Sequence, residues 1–369
     1  MSMSFDSIEG LEITEAMTNA LAQDSISEPT PVQRASIAPI LAGRHVVVES
    51  GTGTGKTLAY LLPILQRMKN DPDSGRTVVF APTAELAMQT LRVAERYKDS
   101  SISTGNLVGS GSGYGTVTKS TRFIVGTPGR ILEMYAKRKL KRVTTIVLDE
   151  PDPILANKDA NFLREVLSRP DPKVQLIIAA ATMGPNAEQL VRDFMGEDCV
   201  RAQGGDGPMQ SLIQHYSVLV RREAPRDVIL ARFIEENKCK RVILFVNQDN
   251  VIRHLYRYLD EHRLRPVSLF SERNKEERRN AVAALVCSKA RILITNDAAA
   301  RGLDVPDVDW VLHYQLPHSA PAYVHRAGRT GRAGHTGRSV VFFTDDDRAM
   351  LRHFAKELGI EFTRIERDR

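Results

Sequence analysis

Cysteine and long apolar runs are scarce in this chain, and each scarcity excludes something. Its three cysteines, Cys199, Cys239 and Cys287, form an odd and scattered set without metal-ligand spacing. That rules out a disulfide framework or a cysteine-built zinc site, and leaves small buried hydrophobes, free thiols in a reducing compartment. No apolar run approaches a membrane span, so no membrane partner is expected. The start, Met1-Ser2-Met3-Ser4-Phe5-Asp6, lacks the basic-then-apolar order of a secretory signal and is too acidic for a typical transit peptide. A cytoplasmic location is expected, with nuclear or organellar placement left open.

The first half also lacks net charge. Residues 1–205 hold 23 Lys and Arg against 23 Asp and Glu, whereas residues 206–369 hold 28 against 22 and account for the whole +6. An anionic partner on the second half, nucleic acid above all, fits this imbalance, although a solvated surface would look the same. At 369 residues with 42% hydrophobic and 26% charged content, the chain suits two globular domains rather than one.

What is present is organised around Ser50-Gly51-Thr52-Gly53-Thr54-Gly55-Lys56-Thr57. The apolar run His45-Val46-Val47-Val48 precedes it, and a helical pattern through Leu58, Leu61, Leu62 and Leu65 follows. Strand, glycine-rich turn and helix together make a phosphate-binding loop: glycines let backbone N–H groups approach an anion, and the helix N-terminus supplies unpaired donors. Lys56 is placed to reach β- and γ-phosphates and Thr57 to ligate Mg²⁺. The strict pattern has Gly where Ser50 stands. A helix-capping glycine loop with a chance Lys-Thr is the bland alternative.

Upstream, Glu28-Pro29-Thr30-Pro31-Val32-Gln33 carries two prolines two apart, which predicts a fixed turn that holds Gln33. A glutamine so held can pair with an adenine edge. Downstream, strand-like runs at 77–81, 123–126, 145–148 and 175–181 alternate with helical stretches at 84–97, 129–139, 159–168 and 186–195. The second half repeats the rhythm, with strands at 242–246, 291–295, 310–314 and 339–343 and helices at 226–237, 249–262, 274–287 and 345–357. Such alternation predicts an α/β fold of two mostly parallel sheets with helices on both faces, and places functional residues after strand C-termini. The flexible stretch 204–211 divides a first domain, 1–203, from a second, 212–369.

Asp149-Glu150 follows the strand-like Ile146-Val147-Leu148. The first carboxylate suits Mg²⁺, and the second can orient or deprotonate a water; two solvated acids capping a helix is the bland reading. In His325-Arg326-Ala327-Gly328-Arg329-Thr330-Gly331-Arg332, two arginines lie three apart. If the stretch begins as a helix, Arg329 and Arg332 share a face and reach one phosphate. Asp304, in Ala300-Arg301-Gly302-Leu303-Asp304, is placed to contact a ribose hydroxyl or to hold an arginine.

With these strings in this order, the chain resembles the DEAD-box family of ATP-dependent RNA helicases over nearly its whole length. The resemblance implies tandem RecA-like domains, ATP and Mg²⁺ as cofactors, and RNA, as a single strand or short duplex, as a largely sequence-independent partner; a monomer is expected. It implies that Gln33 reads adenine with Ile26 beside it, and that residues Ser50, Gly51, Thr52, Gly53, Thr54, Gly55, Lys56 and Thr57 bind the phosphates. Asp149 then holds Mg²⁺, Glu150 activates water, Asp304 meets ribose, and Arg329 and Arg332 meet the γ-phosphate. RNA contacts fall at Pro82, Thr83, Gly109, Gly111, Thr127, Gly129 and Arg130, then at Arg278, Thr295 and Asp297. Asp152, Ala180, Thr182 and His325 couple the two activities. Regulatory or ribonucleoprotein partners are implied without being named by any residue.

Several positions depart from the family pattern. Pro151 replaces Ala in the Asp-Glu-Ala-Asp signature and is expected to bias Glu150 toward extended dihedrals. Ala180 replaces the serine of Ser-Ala-Thr, which removes a hydrogen bond worth about 0.5–1.5 kcal/mol. Ala84 replaces an arginine, Ile26 an aromatic, Asn296 a threonine, and Phe270-Ser271 a His-Gly pair. The phosphate chemistry is nearly intact while the RNA and coupling positions are altered. That pattern predicts an RNA-dependent ATPase with weak strand separation, or an assembly clamp. A non-catalytic scaffold and a DNA helicase are the competing classes.

Overall fold

The computed structural model describes all residues except 1–3, 52, 110–116, 157–158, 169–173, 205–211, 222–224, 271–274, 301–307, 332–335 and 366–369, and the side chains at 159, 162 and 275. The chain divides into two compact units, Met1–Ser50 with Thr54–Gly205, and Gly51–Gly53 with Asp206–Arg369.

The first unit opens with helices α1 (Glu15–Gln23) and α2 (Pro31–Leu41). Its strands are β1 (Val46–Glu49), β2 (Arg76–Phe80), β3 (Thr104–Leu107), β4 (Phe123–Gly126), β5 (Val143–Asp149), β6 (Gln175–Ala180) and β7 (Val200–Gln203). Helices α3 (Lys56–Asn70), α4 (Ala84–Tyr97), α5 (Pro128–Ala136), α6 (Pro151–Leu155), α7 (Asp159–Leu167) and α8 (Pro185–Phe194) fill the connections. The strands form one seven-stranded sheet in the order β3-β4-β2-β5-β6-β1-β7. All its pairings are parallel.

Alternation within the strands explains how both faces are covered. Val46 and Val48 join one apolar cluster with Leu61 and Ile64 of α3, while Val47 joins another with Ile131 of α5 and Leu190 of α8. Successive side chains of a strand point to opposite faces, so a continuous apolar run needs helices on each side.

The second unit has β8 (Ile213–Leu219), β9 (Val242–Phe245), β10 (Pro266–Ser268), β11 (Ile292–Thr295), β12 (Trp310–His313), β13 (Gly337–Phe343) and β14 (Thr363–Arg364). Its helices are α9 (Arg226–Glu236), α10 (Asp249–Glu261), α11 (Lys275–Val286), α12 (Asp297–Ala300), α13 (Ala320–Ala327) and α14 (Arg348–Leu358). The sheet again has seven parallel strands, ordered β10-β11-β9-β12-β13-β8-β14. The expectation of two parallel sheets with helices on both faces is met.

Two local expectations fail. Glu150 is not extended: it sits at φ 51, ψ 72, in the left-handed region. Pro151 does bar it from the right-handed helical region, but the chain must turn from β5 straight into α6. The Glu150 N–H also stays bonded to the Ala179 carbonyl at 2.8 Å. The second is the condition under which Arg329 and Arg332 would share a helix face, which is not met. α13 ends at Ala327 with Gly328 as its cap, so Arg329 lies beyond the helix. The Gly328-Arg329-Thr330-Gly331 turn stops it, and Arg332 lies outside the described residues.

Candidate functional site

Strand order sorts the first unit's notable residues into two groups along one end of the sheet. Gly109, Thr127 and Pro82 follow the neighbouring strands β3, β4 and β2. Asp149 ends β5, Ala180 ends β6, and Ser50 follows β1, the next three strands in the sheet. A parallel sheet brings all strand C-termini to the same end, which is why strings far apart in sequence meet there.

In the second group, β6 acts as the fixed rail. Its Ala179 carbonyl accepts from Glu150 N at 2.8 Å and its Ala180 carbonyl from Ser50 N at 3.1 Å. One strand therefore ties the acidic pair to the start of the glycine loop. The loop turns through positive φ at Gly53 (77°) and Gly55 (86°). A Cβ at Gly55 would lie 2.3 Å from Gln33 Nε2, so glycine is required there for space as well as for conformation. α3 then starts at Lys56 with no side-chain cap bond, as an anion-accepting terminus requires. Ser50, the departure from glycine, is buried, and its hydroxyl donates to the Gly204 carbonyl at 3.4 Å. Gly51 and Thr54 flank the turn, and Thr52 lies outside the described residues.

Gln33 is the third residue of α2 rather than part of the turn before it. Its Oε1 accepts from Thr30 N at 2.9 Å in a capping box, and its Nε2 donates to the Gly55 carbonyl at 3.1 Å. It thus braces the phosphate loop from the side; each end of the amide retains capacity for one further bond. Ile26 is half-buried and packs on the same apolar core.

Charges in this site lie close enough to act on one another. Lys56 Nζ donates to the Ser50 carbonyl at 2.5 Å. Burial pushes its pKa down, opposed by the nearby carboxylates of Asp149 and Glu150. Asp149 is only 6% exposed. Burial raises its pKa, Glu150 raises it further, and a hydrogen bond from Tyr60 and the charge of Lys56 oppose the rise. Two adjacent carboxylates beside one half-buried lysine leave room for a further positive charge, and Thr57 lies in the first turn of the helix next to them. Among the described residues no group of three or more His, Cys, Asp or Glu is placed to hold a metal ion. A cation here would draw most of its ligands from water and phosphate, which suits Mg²⁺.

Asp152 packs so closely that a Cβ at Gly184 would sit 2.3 Å from its Oδ1, which joins α6 to the segment after β6. Thr182, in that segment, has a buried Oγ1 without a hydrogen-bond partner among the described residues.

In the other group, Thr83 caps α4 by accepting from Leu86 N at 3.2 Å. Thr127 opens α5 without a side-chain cap bond, and Gly129 lies in its first turn. Arg130 pairs with Glu133 on the same helix while its Nε is buried without a partner. Gly109 adopts φ 78, and Gly111 lies outside the described residues.

In the second unit, the outcome differs from expectation at two positions. Thr295 is fully buried at the end of strand β11, so its side chain is not open to a ligand; half-buried Asn296 is the residue that emerges. Asn296 donates to Asp249 Oδ1 at 2.6 Å and accepts from Ala299 N at 2.8 Å. Asp297 is engaged by Arg326, whose Nε and Nη2 meet its two oxygens at 2.7 Å each. Arg326, only 1% exposed, also donates to Asn247 Oδ1 at 2.8 Å and lies 5.2 Å over the Phe245 ring. It binds the ends of β9, β11 and α13 into one cluster. Arg278 donates to the Ala299 carbonyl at 2.8 Å. His325 and Arg329 are half-buried, and Asp304 lies outside the described residues.

Tyr60 and Arg326 are the two residues that sequence reasoning missed. Tyr60 lies four residues after Lys56, on the same helix face, and that spacing was the available signal.

The chain is similar to known proteins over most of its length. A family model described as DEAD/DEAH box helicase matches residues 30–190, and one described as helicase conserved C-terminal domain matches residues 225–334. The chain is 35% identical to the DEAD-box ATP-dependent RNA helicase CshC of Bacillus cereus, covering 95% of this chain and 91% of that protein. It is 32% identical to the Bacillus subtilis protein named "Probable ATP-dependent RNA helicase YfmL", covering 91% and 90%. In fold it resembles S. cerevisiae Dbp5 bound to RNA and ADP BeF3, with TM-score 0.83 and 24% identity over 99% of this chain and 96% of that one.

Proposed function

Because this chain belongs to the DEAD-box family of ATP-dependent RNA helicases, we propose that its two strand-end groups divide the work between nucleotide and RNA. The observation that carries this reading is the joint tethering of Ser50 and Glu150 to consecutive carbonyls of β6. Phosphates would sit on the N–H groups of residues 51–57, with Lys56 as their cation. Gln33 would meet the adenine edge with Ile26 against the ring, and Asp304 the ribose. Thr57 and Asp149 would hold Mg²⁺, which when bound offsets phosphate charge. Glu150 would orient and deprotonate the attacking water, and Arg329 and Arg332 would complete the charge around the γ-phosphate.

RNA would lie across Pro82, Thr83, Gly109, Gly111, Thr127, Gly129 and Arg130, and on the second unit across Arg278 and the exposed neighbours of Thr295 and Asp297. Hydroxyls, glycine backbone and arginine suit phosphate and 2′-OH contacts rather than base edges, so RNA is read without much sequence preference. Asp152, Ala180, Thr182 and His325 would transmit the nucleotide state. All of these strings occur in one chain, which favours action as a monomer. Among the described residues no helix is long and apolar enough to cross a membrane.

The altered coupling positions favour a second reading within the same family: an RNA clamp that turns over ATP with little strand separation. ATPase assays with and without RNA, using Glu150→Gln as the control, test the first reading. RNA-stimulated turnover that this substitution abolishes supports it, and turnover indifferent to RNA or to Glu150 removes it. Strand displacement of short duplexes separates helicase from clamp.

A further inference from the structure

The positive charge of the second unit is concentrated where the helicase reading does not use it. Three connections run from a helix end to the next strand: residues 237–241 (α9 to β9), 262–265 (α10 to β10) and 287–291 (α11 to β11). They carry Lys238, Lys240, Arg241, Arg263, Arg265, Lys289 and Arg291, and no Asp or Glu. Without those seven, the 28 cations of residues 206–369 fall to 21 against 22 acidic residues, so the excess charge resides in these loops.

Topology brings the three loops side by side. β10, β11 and β9 are neighbours in parallel register, so their N-terminal ends adjoin. Two strand spacings of about 4.8 Å put the outer loops roughly 10 Å apart. The loops stand at the opposite end of the sheet from Asn247 and Asn296. Between them lies a concavity of about 500 Å³ lined by Lys238, Lys240, Arg241, Arg265 and Arg291, with Glu235 as its single carboxylate. Arg241 pairs with Asp309 at its edge (3.1 Å), and Arg291 is half-buried, donating to the Ile234 carbonyl at 2.9 Å. The other cations are exposed.

Helix-dipole compensation is the competing explanation, since cations are favoured at helix C-termini. It does not explain the backbone. Lys238, Arg263, Arg265 and Ser288 all take positive φ, from 49° to 58°. Past the helix ends elsewhere this geometry is taken by glycine at Gly43, Gly196 and Gly359, and by Ser25 and Arg138. Glycine would relieve the strain at Lys238, Arg263 and Arg265, yet long cations stand there.

We propose that these three loops form a second RNA-binding surface that grips the phosphate backbone of a structured flank of the substrate RNA. No Phe, Tyr or Trp lies in the loops, and the ring of His262 is already packed on Tyr258 (4.3 Å between centroids), so a duplex or folded backbone fits better than stacked unpaired bases. This inference rests on the RNA-helicase reading.

The test uses the full chain, a single-stranded decamer, and the same decamer extended by a hairpin. Lys238→Gly/Arg263→Gly/Arg265→Gly removes three charges while relieving positive φ, so folding is preserved. It should leave decamer affinity and decamer-stimulated ATPase unchanged. It should weaken hairpin RNA binding about tenfold or more and lower the slope of log affinity against log salt by about 2 to 3. Lys240→Glu/Lys289→Glu, which touches no positive-φ residue, should weaken hairpin binding to a similar or greater degree. Unchanged hairpin affinity and salt slope in both variants overturns the proposal while RNA-stimulated ATPase stands. Loss of poly-glutamate binding with hairpin binding intact also overturns it, in favour of an acidic protein partner. Absence of RNA stimulation in the unaltered chain would instead remove the helicase reading itself.

Discussion

The Tyr60 hydroxyl donates to Asp149 Oδ2 at 2.8 Å, and both groups are buried. A carboxylate held in this way has its rotamer chosen before any ligand arrives. The Thr57 and Thr90 hydroxyls also bond the Tyr60 side chain, so the orienting group is itself oriented.

Tyr60→Phe should therefore disturb catalysis without emptying the site. Hydrogen bonds to charged groups are worth about 1.5–3 kcal/mol, so turnover should fall roughly tenfold to a hundredfold if the full bond acts on Asp149. ATP affinity measured in EDTA should be unchanged, because Lys56 and the loop are untouched. The Mg²⁺ concentration that half-saturates the enhancement of fluorescent-ADP binding should rise. An unshifted Mg²⁺ midpoint with normal turnover would show that the tyrosine serves packing alone.

Arg326 makes a comparable prediction for the second unit. Its guanidinium spans Asp297, Asn247 and the Gln315 carbonyl from a position 1% exposed. Arg326→Lys keeps the charge but cannot reproduce the planar two-oxygen pairing with Asp297. Breaking a buried pair costs about 3–5 kcal/mol, and Asp297 is 39% exposed on its side chain, which lowers that figure. Urea unfolding should show a loss on the order of 2 kcal/mol for Arg326→Lys and more for Arg326→Ala. Parity with the unaltered chain would mean that water replaces the network at no cost.

The sheet centres were legible in the sequence and the edges were not. β1, β2, β4, β5 and β6 read as apolar runs because helices cover both their faces. The four edge strands, β3, β7, β10 and β14, went unread. Thr104-Gly105-Asn106-Leu107 and Val200-Arg201-Ala202-Gln203 have no such run, since an edge strand is half solvated. β8 was missed because its buried and exposed residues alternate within a polar segment. At the site, the glycine loop and the acidic pair were visible as local strings. Tyr60 and Arg326 act through partners 89 and 29 residues away; the four-residue spacing from Lys56 puts Tyr60 on the helix face of the site but holds no record of Asp149 as its partner.

Buried histidines in the second unit give it an acid limit. His215 Nδ1 lies 2.7 Å from the Tyr323 hydroxyl, and burial pushes its pKa down to about 4. His313, stacked on Tyr323 with 4.8 Å between centroids, is also lowered by burial. Below the ordinary histidine value the unfolded chain takes up a proton that the folded unit refuses. This contribution is complete above about pH 6.5 and is lost as pH falls toward 4. For His215 alone the loss at pH 5 is about 2 kcal/mol at most. His215→Gln should lessen the difference in urea-unfolding stability between pH 7 and pH 5, with Ser339 still available to the Tyr323 hydroxyl at 3.0 Å. An equal pH dependence in both proteins would assign the acid sensitivity to other groups.

Ala180 offers the sharpest test of how ATP use is linked to RNA. Its carbonyl already holds Ser50 N, so the backbone tie to the phosphate loop survives without a serine side chain. What is short is a hydroxyl: Thr182 Oγ1, two residues on, is buried and unpartnered among the described residues. Ala180→Ser should restore a hydrogen bond worth about 0.5–1.5 kcal/mol. If that bond favours the RNA-engaged state, short-duplex displacement should rise roughly twofold to tenfold per ATP hydrolysed, by the same energy. ATP affinity should stay constant, because none of the loop donors changes. Vigorous unwinding by the unaltered chain would remove the premise of a coupling defect. An unchanged ratio of unwinding to turnover in Ala180→Ser would place the defect at another altered position, Ala84 or Pro151 first.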